Sequence, residues 1–191
     1  MASSSSSSAA AGALLRRQLK QMQTAKDLPG ISCGLVNDNN IFEWEVMLML
    51  SDDCKYYRVP PSVTNKPAYH QEPTSEPTSS SHQNTPTSPK MVFQKPIPFH
   101  PNIYPNGDLC ISILHPPEDD KYGYESANER WSPVQTPETI LLSVISLFED
   151  PNDESPANVE AALLFRAEKE GLNKDFRKRC RQCVRESLGE A

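Results

Sequence analysis

A segment rich in proline, serine and threonine divides the chain and limits what it can fold into. Residues 58–89 read RVPPSVTNKPAYHQEPTSEPTSSSHQNTPTSP, with seven Pro, six Ser and five Thr among 32 positions. Its apolar content consists of Val59, Val63, Ala68 and Tyr69, which bury too little surface to offset the entropy of ordering the chain. We therefore predict a disordered segment here and a folded core built from the sequences on either side.

The sequence around this segment predicts a tail, one helix and three strands. Residues 1–12 are rich in Ser and Ala and are expected to be disordered. Residues 13–25 carry apolar side chains at helical spacing, whereas 30–36, 42–50 and 90–93 predict strands, the second of which alternates with period two. The expected apolar face of the helix comprises Leu14, Leu15, Leu19 and Met22.

The last third of the chain predicts three helices. Thr136 and Pro137 form a cap and first turn for a helix that ends before Pro151. Ser155-Pro156 repeats this arrangement for a helix that continues through Lys169. The apolar face of the last helix comprises Phe176, Cys180, Cys183, Val184 and Leu188. Strands followed by helices indicate the α+β class.

Composition excludes several classes of function. A net charge of −6 argues against a nucleic-acid surface and leaves partners with complementary basic patches open. The sequence contains no run of 18 apolar residues and no positive region ahead of an apolar core at its start, so we expect neither a membrane span nor a secretory signal. Five cysteines without framework spacing predict reduced thiols in the cytosol or nucleus. Cys180 and Cys183 lack the second ligand pair of a zinc site, and no metal is expected.

The stretch FHPNIYPNGDLCISILHPPEDD, residues 99–120, places Cys110 between a tight turn and a cluster of acids. Cys110 is either a buried structural residue or a nucleophile. A hydrolase would need a nearby cation to form the thiolate, whereas the acids around it favour the neutral thiol. Those acids suit a thiol that passes an acyl group to a lysine, because carboxylates attract the ammonium and accept its proton. Asn102 is a candidate for stabilising the oxyanion, and a local turn bond is an equally good interpretation of it.

The residues HPNIYPNGDLCISIL closely resemble the active-site signature of ubiquitin-conjugating enzymes, with the Asn of His-Pro-Asn eight residues before the cysteine. The resemblance extends through FEWEVMLM and ERWSPVQTPETILLSVISLFEDPNDESPANVEAA and covers residues 13–57 and 90–191. HPPEDDKYGYESANE, residues 115–129, resembles the acidic loop of the subfamily that assists degradation of endoplasmic-reticulum proteins. The resemblance implies an antiparallel β-meander flanked by an N-terminal helix and C-terminal helices, in one core domain over residues 13–191.

The resemblance also implies catalytic roles, position by position. Cys110 would carry ubiquitin as a thioester, and Asn102 would support the oxyanion and the adjoining loop. Ser155 would occupy the gate position, meaning the position beside the thioester where the family often has Ser or Asp, although an ordinary N-cap is compatible with it. The residues that would assist the acceptor lysine are His115, Asp119 and Asp120.

Ubiquitin, an activating enzyme and a RING-type ligase are the partners that the resemblance implies, without nucleic acid or membrane insertion. No cofactor would be bound, because the upstream activating enzyme consumes the ATP. The implied location is the cytosol, including the cytosolic face of the endoplasmic reticulum, or the nucleus. The implied contact residues are Arg16, Arg17 and Lys20 on the first helix, Ser132, Pro133 and Val134 for the ligase, and Leu142 for donor ubiquitin. A simply solvated helix face explains the three basic residues equally well.

The chain departs from this family between Tyr57 and Pro89, where the family has a third strand and another ligase-contacting loop. Losing three buried apolar side chains would remove on the order of 5 to 9 kcal/mol, which is comparable with the net stability of a domain. We therefore expect the sheet to lack one strand. Two interpretations follow: an active conjugating enzyme that tolerates the segment, or a non-catalytic splice or gene-model variant that at most binds partners.

Overall fold

The described residues of the chain form, in a computed structural model, four helices and a four-stranded antiparallel sheet. The structure describes residues 3–25, 30–51, 53–57, 67–70, 88–116 and 130–190, with the backbone alone for residues 3–8 and 67–70. The helices are α1 (Ser3–Thr24), α2 (Pro137–Glu149), α3 (Val159–Lys169) and α4 (Asp175–Ser187). The strands are β1 (Ile31–Leu35), β2 (Glu43–Leu48), β3 (Pro67–His70) and β4 (Lys90–Phe93), and a 3₁₀ turn spans Ser112–Leu114. The predicted α+β class is confirmed.

The sheet is a meander in which each strand pairs with the next along the chain, in the order β1-β2-β3-β4. In β2, Trp44, Val46 and Leu48 are buried, and the residues between them are half-buried. Val46 lies opposite Cys33 of β1 in the register. The predicted alternation of β2 is therefore confirmed, because every second side chain of a strand points to the same face.

The expectation that the sheet lacks one strand is wrong, because four residues of the inserted segment form a strand. Pro67–His70, inside the segment predicted to be disordered, pairs with both β2 and β4, with Tyr69 opposite Trp44 on one side and Met91 on the other. Backbone donors and acceptors pair whatever the side chains are, and Pro67 is the first residue of the strand, where its missing N–H is tolerated. The backbone of these four residues therefore completes the sheet between β2 and β4. The disorder predicted for the rest of 58–87 lies outside the described residues.

Helix α1 begins at Ser3, ten positions earlier than predicted, so the expected disordered tail is wrong from Ser3 onward. Alanine has the highest intrinsic helix propensity, and a Cβ on the buried Gly12 would lie 3.6 Å from Ile41, so the helix packs closely at this point. Leu15, Leu19 and Met22 are buried as predicted, but Leu14 is 53% exposed.

The start of α2 was predicted correctly, and the start of α3 was not. The Thr136 hydroxyl accepts from the Thr139 N–H at 3.2 Å, the Thr139 hydroxyl accepts from the Thr136 N–H at 3.0 Å, and Pro137 is the first helical residue. Helix α3 begins at Val159, because Asn158 caps it by accepting from the Ala161 N–H at 3.1 Å. Ser155 therefore lies in the loop before α3 and is not its N-cap.

An aromatic core connects α2 and α4 to the segment that leads to the candidate site. The Tyr57 ring packs edge-on against Phe148, with centroids 5.0 Å apart, and its hydroxyl donates to the Phe99 carbonyl at 2.5 Å. Cys180 is fully buried and its thiol donates to the same carbonyl at 3.4 Å. Burial raises the pKa of the Tyr57 hydroxyl well above its usual value, so this hydrogen bond is made by the neutral phenol.

Candidate active site

A tight turn brings Cys110 back alongside Asn102. The Gly107 N–H donates to the Tyr104 carbonyl at 2.8 Å, and the chain then returns antiparallel, with the Cys110 N–H donating to the Asn102 carbonyl at 2.9 Å. Gly107 has φ of +96°, and its carbonyl accepts from the Phe93 N–H of β4 at 2.8 Å. The turn is therefore attached directly to the sheet, and the position of Cys110 depends on it.

Replacing Gly107 by alanine is expected to destabilise the fold by about 2 kcal/mol or more. A Cβ at this position would lie 2.3 Å from the Phe93 carbonyl oxygen, and the positive φ is itself unfavourable for alanine. Urea unfolding followed by circular dichroism measures the change. Gly34→Ala is the matched control, because a Cβ at Gly34 meets nothing within 4 Å; equal stability of the two variants would contradict the role of the turn.

The Cys110 thiol is half-buried and lies beside two side chains that are able to bond to it. Nε2 of His115 lies 3.7 Å from Sγ of Cys110. Tyr104 is 44% exposed, and its electrostatic interaction with Cys110, followed by burial, raises the pKa of Tyr104. The thiol is therefore accessible and has polar neighbours, which excludes the interpretation of Cys110 as a fully buried structural residue.

The side-chain amide of Asn102 holds the loop that contains Ser155. Asn102 is buried, its Nδ2 donates to the Asn152 carbonyl at 2.7 Å, and its Oδ1 accepts from the Asn152 N–H at 2.9 Å. A second attachment follows at Asn158, whose N–H donates to the Pro101 carbonyl at 2.9 Å. The exposed Ser155 thus lies in a loop fixed at both ends to the segment that precedes Cys110. The interpretation of Asn102 as a purely local turn residue is wrong.

His100 holds the backbone of Asn102 from the core side. Its ring is fully buried, Nδ1 accepts from the Asn102 N–H at 2.9 Å, and Nε2 lies 3.1 Å from the Leu147 carbonyl. A ring nitrogen that accepts carries no proton, so the proton is on Nε2 and is donated to Leu147. Burial lowers the pKa of His100 to about 4, and the ring is neutral at neutral pH.

This histidine predicts a loss of stability in mild acid. The pKa of His100 is about 4 in the folded state and 6.5 for an unperturbed histidine, so the unfolded chain binds the extra proton between these values. His100 should therefore not reduce the free energy of unfolding above pH 6.5, and should reduce it by up to about 3 kcal/mol as the pH drops to 4. Urea unfolding at pH 7.0 and 4.5 measures the fall.

His100→Gln should reduce this pH dependence, whereas His115→Gln, at the half-buried histidine near Cys110, should keep it. An undiminished fall in the His100→Gln variant would show that other groups cause it.

The remaining residues suggested by the sequence are not all brought to this site. Asp119 and Asp120 lie outside the described residues. Leu142 is 46% exposed on α2 and Val134 is 82% exposed in the turn before that helix, next to the exposed Pro133 and the half-buried Ser132. The three basic residues of α1, which are exposed on the face opposite its buried leucines, are Arg16, Arg17 and Lys20.

Sequence reasoning missed two members of the site, Tyr104 and Asn152. Tyr104 stands in the same HPNIYPNG stretch and could have been noted as a hydroxyl close to the turn. Asn152 bonds to Asn102 through its backbone, so no side-chain signal at this position indicates the contact. Among the described residues, no group of His, Cys, Asp and Glu is arranged to hold a metal ion, and no helix is long and apolar enough to cross a membrane.

Comparison with known proteins agrees with this fold. The solved structure of human ubiquitin-conjugating enzyme E2 G1 superposes with a TM-score of 0.54 at 36% sequence identity, covering 73% of this chain and 95% of that one. The family model described as ubiquitin-conjugating enzyme matches residues 81–183. Ubiquitin-conjugating enzyme E2 15 of Schizosaccharomyces pombe is 50% identical over 177 residues, 92% of this chain and 93% of the relative. Ubiquitin-conjugating enzyme E2 G2 of Homo sapiens is 44% identical over 180 residues, 93% of this chain and 97% of the relative.

The structural likeness shows the fold class, and the sequence matches are more specific. The chain belongs to the ubiquitin-conjugating enzyme family and is therefore a transferase. Membership implies interaction with ubiquitin, with an activating enzyme and with ubiquitin ligases.

Proposed function

We propose that Cys110 accepts ubiquitin from the activating enzyme as a thioester and, with a RING-type ligase, transfers it to a lysine. The observation that carries this proposal is the position of the half-buried Cys110 thiol, at a turn attached to β4 and alongside the buried Asn102. The other half-buried thiols among the described residues are Cys33 in β1 and Cys183 in α4, and burial raises the pKa of both.

Transfer requires a neutral amine next to the thioester. The lysine nitrogen attacks the thioester carbonyl to give a tetrahedral oxyanion, a C–N bond forms, and the C–S bond breaks to release the Cys110 thiolate. The ammonium of a free lysine has a pKa of about 10.4, so the site must attract it and receive its proton. One Nδ2–H of Asn102 bonds to the Asn152 carbonyl, and the second is available for the oxyanion.

The candidate site residues other than Cys110 receive distinct roles in this proposal. Tyr104, His115 and Ser155 line the approach of the acceptor lysine, and the acids of the following loop, Asp119 and Asp120, attract the ammonium. The side-chain amide of Asn102 would therefore have two roles. It binds the backbone of Asn152 and so holds the loop of Ser155, and it would donate a hydrogen bond to the oxyanion. This shared attachment supports the role of Asn102 in both oxyanion and loop support.

Residues on α1, on α2 and in the turn before α2 are proposed as partner contacts. Arg16, Arg17 and Lys20 would meet the activating enzyme and ligases. Ser132, Pro133 and Val134 would contact the ligase, and the 82% exposure of Val134 supports an interaction surface there. Leu142, a 46% exposed leucine on α2, would contact donor ubiquitin.

The proposed setting is proteasomal degradation of endoplasmic-reticulum proteins, carried out from the cytosol. The resemblance of residues 115–129 to the acidic loop of that subfamily supports this setting. The alternative of a non-catalytic binding variant rested on a missing strand. It has less support now that Pro67–His70 pairs with both of its neighbours.

Charging of the purified chain tests the proposal. Incubation with ubiquitin, activating enzyme and ATP should give an adduct, larger than the chain by one ubiquitin, that a thiol reductant removes. Omitting ATP or the activating enzyme should abolish it. A folded chain, verified by circular dichroism, that forms no such adduct would contradict the proposed activity and favour the binding variant.

A further inference from the structure

An open cleft next to the site has no role in the chemistry described above. It has a volume of about 530 Å³ and lies between the segment that precedes Cys110 and the helices α3 and α4. Its apolar side is formed by Ile97, Pro98, Phe99, Ile103 and Pro105. Its polar side is formed by Asn158, Glu160, Arg179, Gln182 and Glu186, with the Cys183 thiol among them. A cleft with an apolar floor and a polar edge is suited to an extended peptide segment.

The cleft is continuous with the thioester site through Tyr104. This tyrosine lines the cleft, and it lies in the same turn as Cys110, where the Tyr104 N–H donates to the Asp108 carbonyl and the Cys110 N–H donates to the Asn102 carbonyl, each at 2.9 Å. Asn158 lines the cleft as well and ends the loop that carries Ser155. A chain whose lysine nitrogen reaches Cys110 can therefore extend past Tyr104 directly into the cleft.

The charges in the cleft favour a basic occupant. The positive charge of Arg179 is compensated within the cleft, because its guanidinium pairs with Glu160 at 3.3 Å and stacks over the Phe99 ring at 4.5 Å. Glu186 accepts a hydrogen bond from the neutral Gln182 amide at 2.9 Å, and within the described part of the chain it has no ion pair. Glu186 and Cys183 both line the cleft, and the Glu186 carboxylate adds to the effect of burial in raising the pKa of Cys183. Two carboxylates and one guanidinium leave the cleft with one net negative charge.

The length of the cleft limits the occupant to a few residues. Arg179 and Glu186 lie seven positions apart on α4, which corresponds to about 10 Å at the helical rise. An extended chain covers this distance in about three residues.

We infer that this cleft, lined by Tyr104, Arg179 and Glu186, binds the few residues of the acceptor polypeptide next to its target lysine and prefers basic side chains there. The inference rests on the proposed thioester function of Cys110. It adds a source of acceptor selectivity that belongs to the conjugating enzyme itself.

Single-turnover discharge of the charged chain tests the inference with three acceptors. These are free lysine, a short peptide with one lysine flanked by arginines, and the same peptide with glutamates in place of the arginines. The arginine peptide should discharge ubiquitin about fivefold faster than the glutamate peptide, as expected for a partly exposed charge contact. In a Glu186→Lys variant this ratio should fall to about one, with discharge to free lysine unchanged.

Glu170→Lys is the matched control, since it makes the same charge change at an exposed position after α3 that does not line the cleft. The control variant should keep the preference for the arginine peptide. Equal rates with both peptides in the unmodified chain, or the same loss in both variants, would overturn the inference. Failure of the proposed function is distinguishable, because in that case no thioester forms or none is discharged to free lysine.

Discussion

A Cys110→Ala chain is expected to form no ubiquitin adduct at all, and a Cys110→Ser chain is expected to form one that resists thiol reductants. Alanine removes the nucleophile, so charging should be lost completely. Serine places an oxygen at the same position after the turn, and the resulting oxygen ester is not exchanged by thiols but is cleaved by mild base. Non-reducing and reducing gel electrophoresis after incubation with activating enzyme, ubiquitin and ATP separates these outcomes.

The other half-buried cysteines are the matched controls for this result. Cys33→Ala and Cys183→Ala remove thiols of similar exposure from β1 and α4, and both variants should charge like the unmodified chain. A reductant-sensitive adduct that persists in Cys110→Ala and disappears in one of these controls would place the thioester elsewhere.

Asn102→Ala is expected to lose both stability and transfer rate. The substitution removes two hydrogen bonds to the backbone of Asn152, at 2.7 and 2.9 Å, which should reduce the free energy of unfolding by about 2 kcal/mol. It also removes the amide that we propose as the donor to the oxyanion, which should slow discharge to lysine by about a hundredfold. Urea unfolding and a pulse-chase discharge assay measure the two effects separately.

Asn152→Ala provides the control for the Asn102 result. Asn102 bonds to the backbone of residue 152, so this variant keeps both of those hydrogen bonds. It loses a single exposed hydrogen bond, which the Glu154 N–H donates to the Asn152 side chain. We expect nearly unchanged stability and discharge. Equal effects in the two variants, or an Asn102→Ala chain of unchanged stability, would contradict the attachment of the Ser155 loop through the Asn102 amide.

Local patterns predicted those elements whose signals lie within a few residues. The alternation of Trp44, Val46 and Leu48 fixed the buried face of β2, because side-chain direction in a strand has a period of two. The Thr136-Pro137 start of α2 was predictable because capping is a contact between residues three positions apart. The same rule failed at Ser155-Pro156, where the Asn158 side chain, three residues later, caps α3 instead.

Long-range contacts explain what the sequence did not predict. The attachment of Asn102 to Asn152 joins residues 50 positions apart through a backbone that carries no side-chain signature. Strand β3 has a composition that argues against order, and its pairing depends on the neighbouring strands β2 and β4. Helix α1 likewise extends back through Gly12, which packs near Ile41, a contact that helical periodicity does not reveal.

Mass-spectrometric localisation of ubiquitin on the charged chain tests the central claim most directly. The chain should be charged, quenched at low pH without reductant, digested and searched for the residue that carries the C-terminus of ubiquitin. We predict that this residue is Cys110, linked through a bond that hydroxylamine releases. Attachment to Cys33, to Cys183 or to a lysine with Cys110 left as a free thiol would contradict the account.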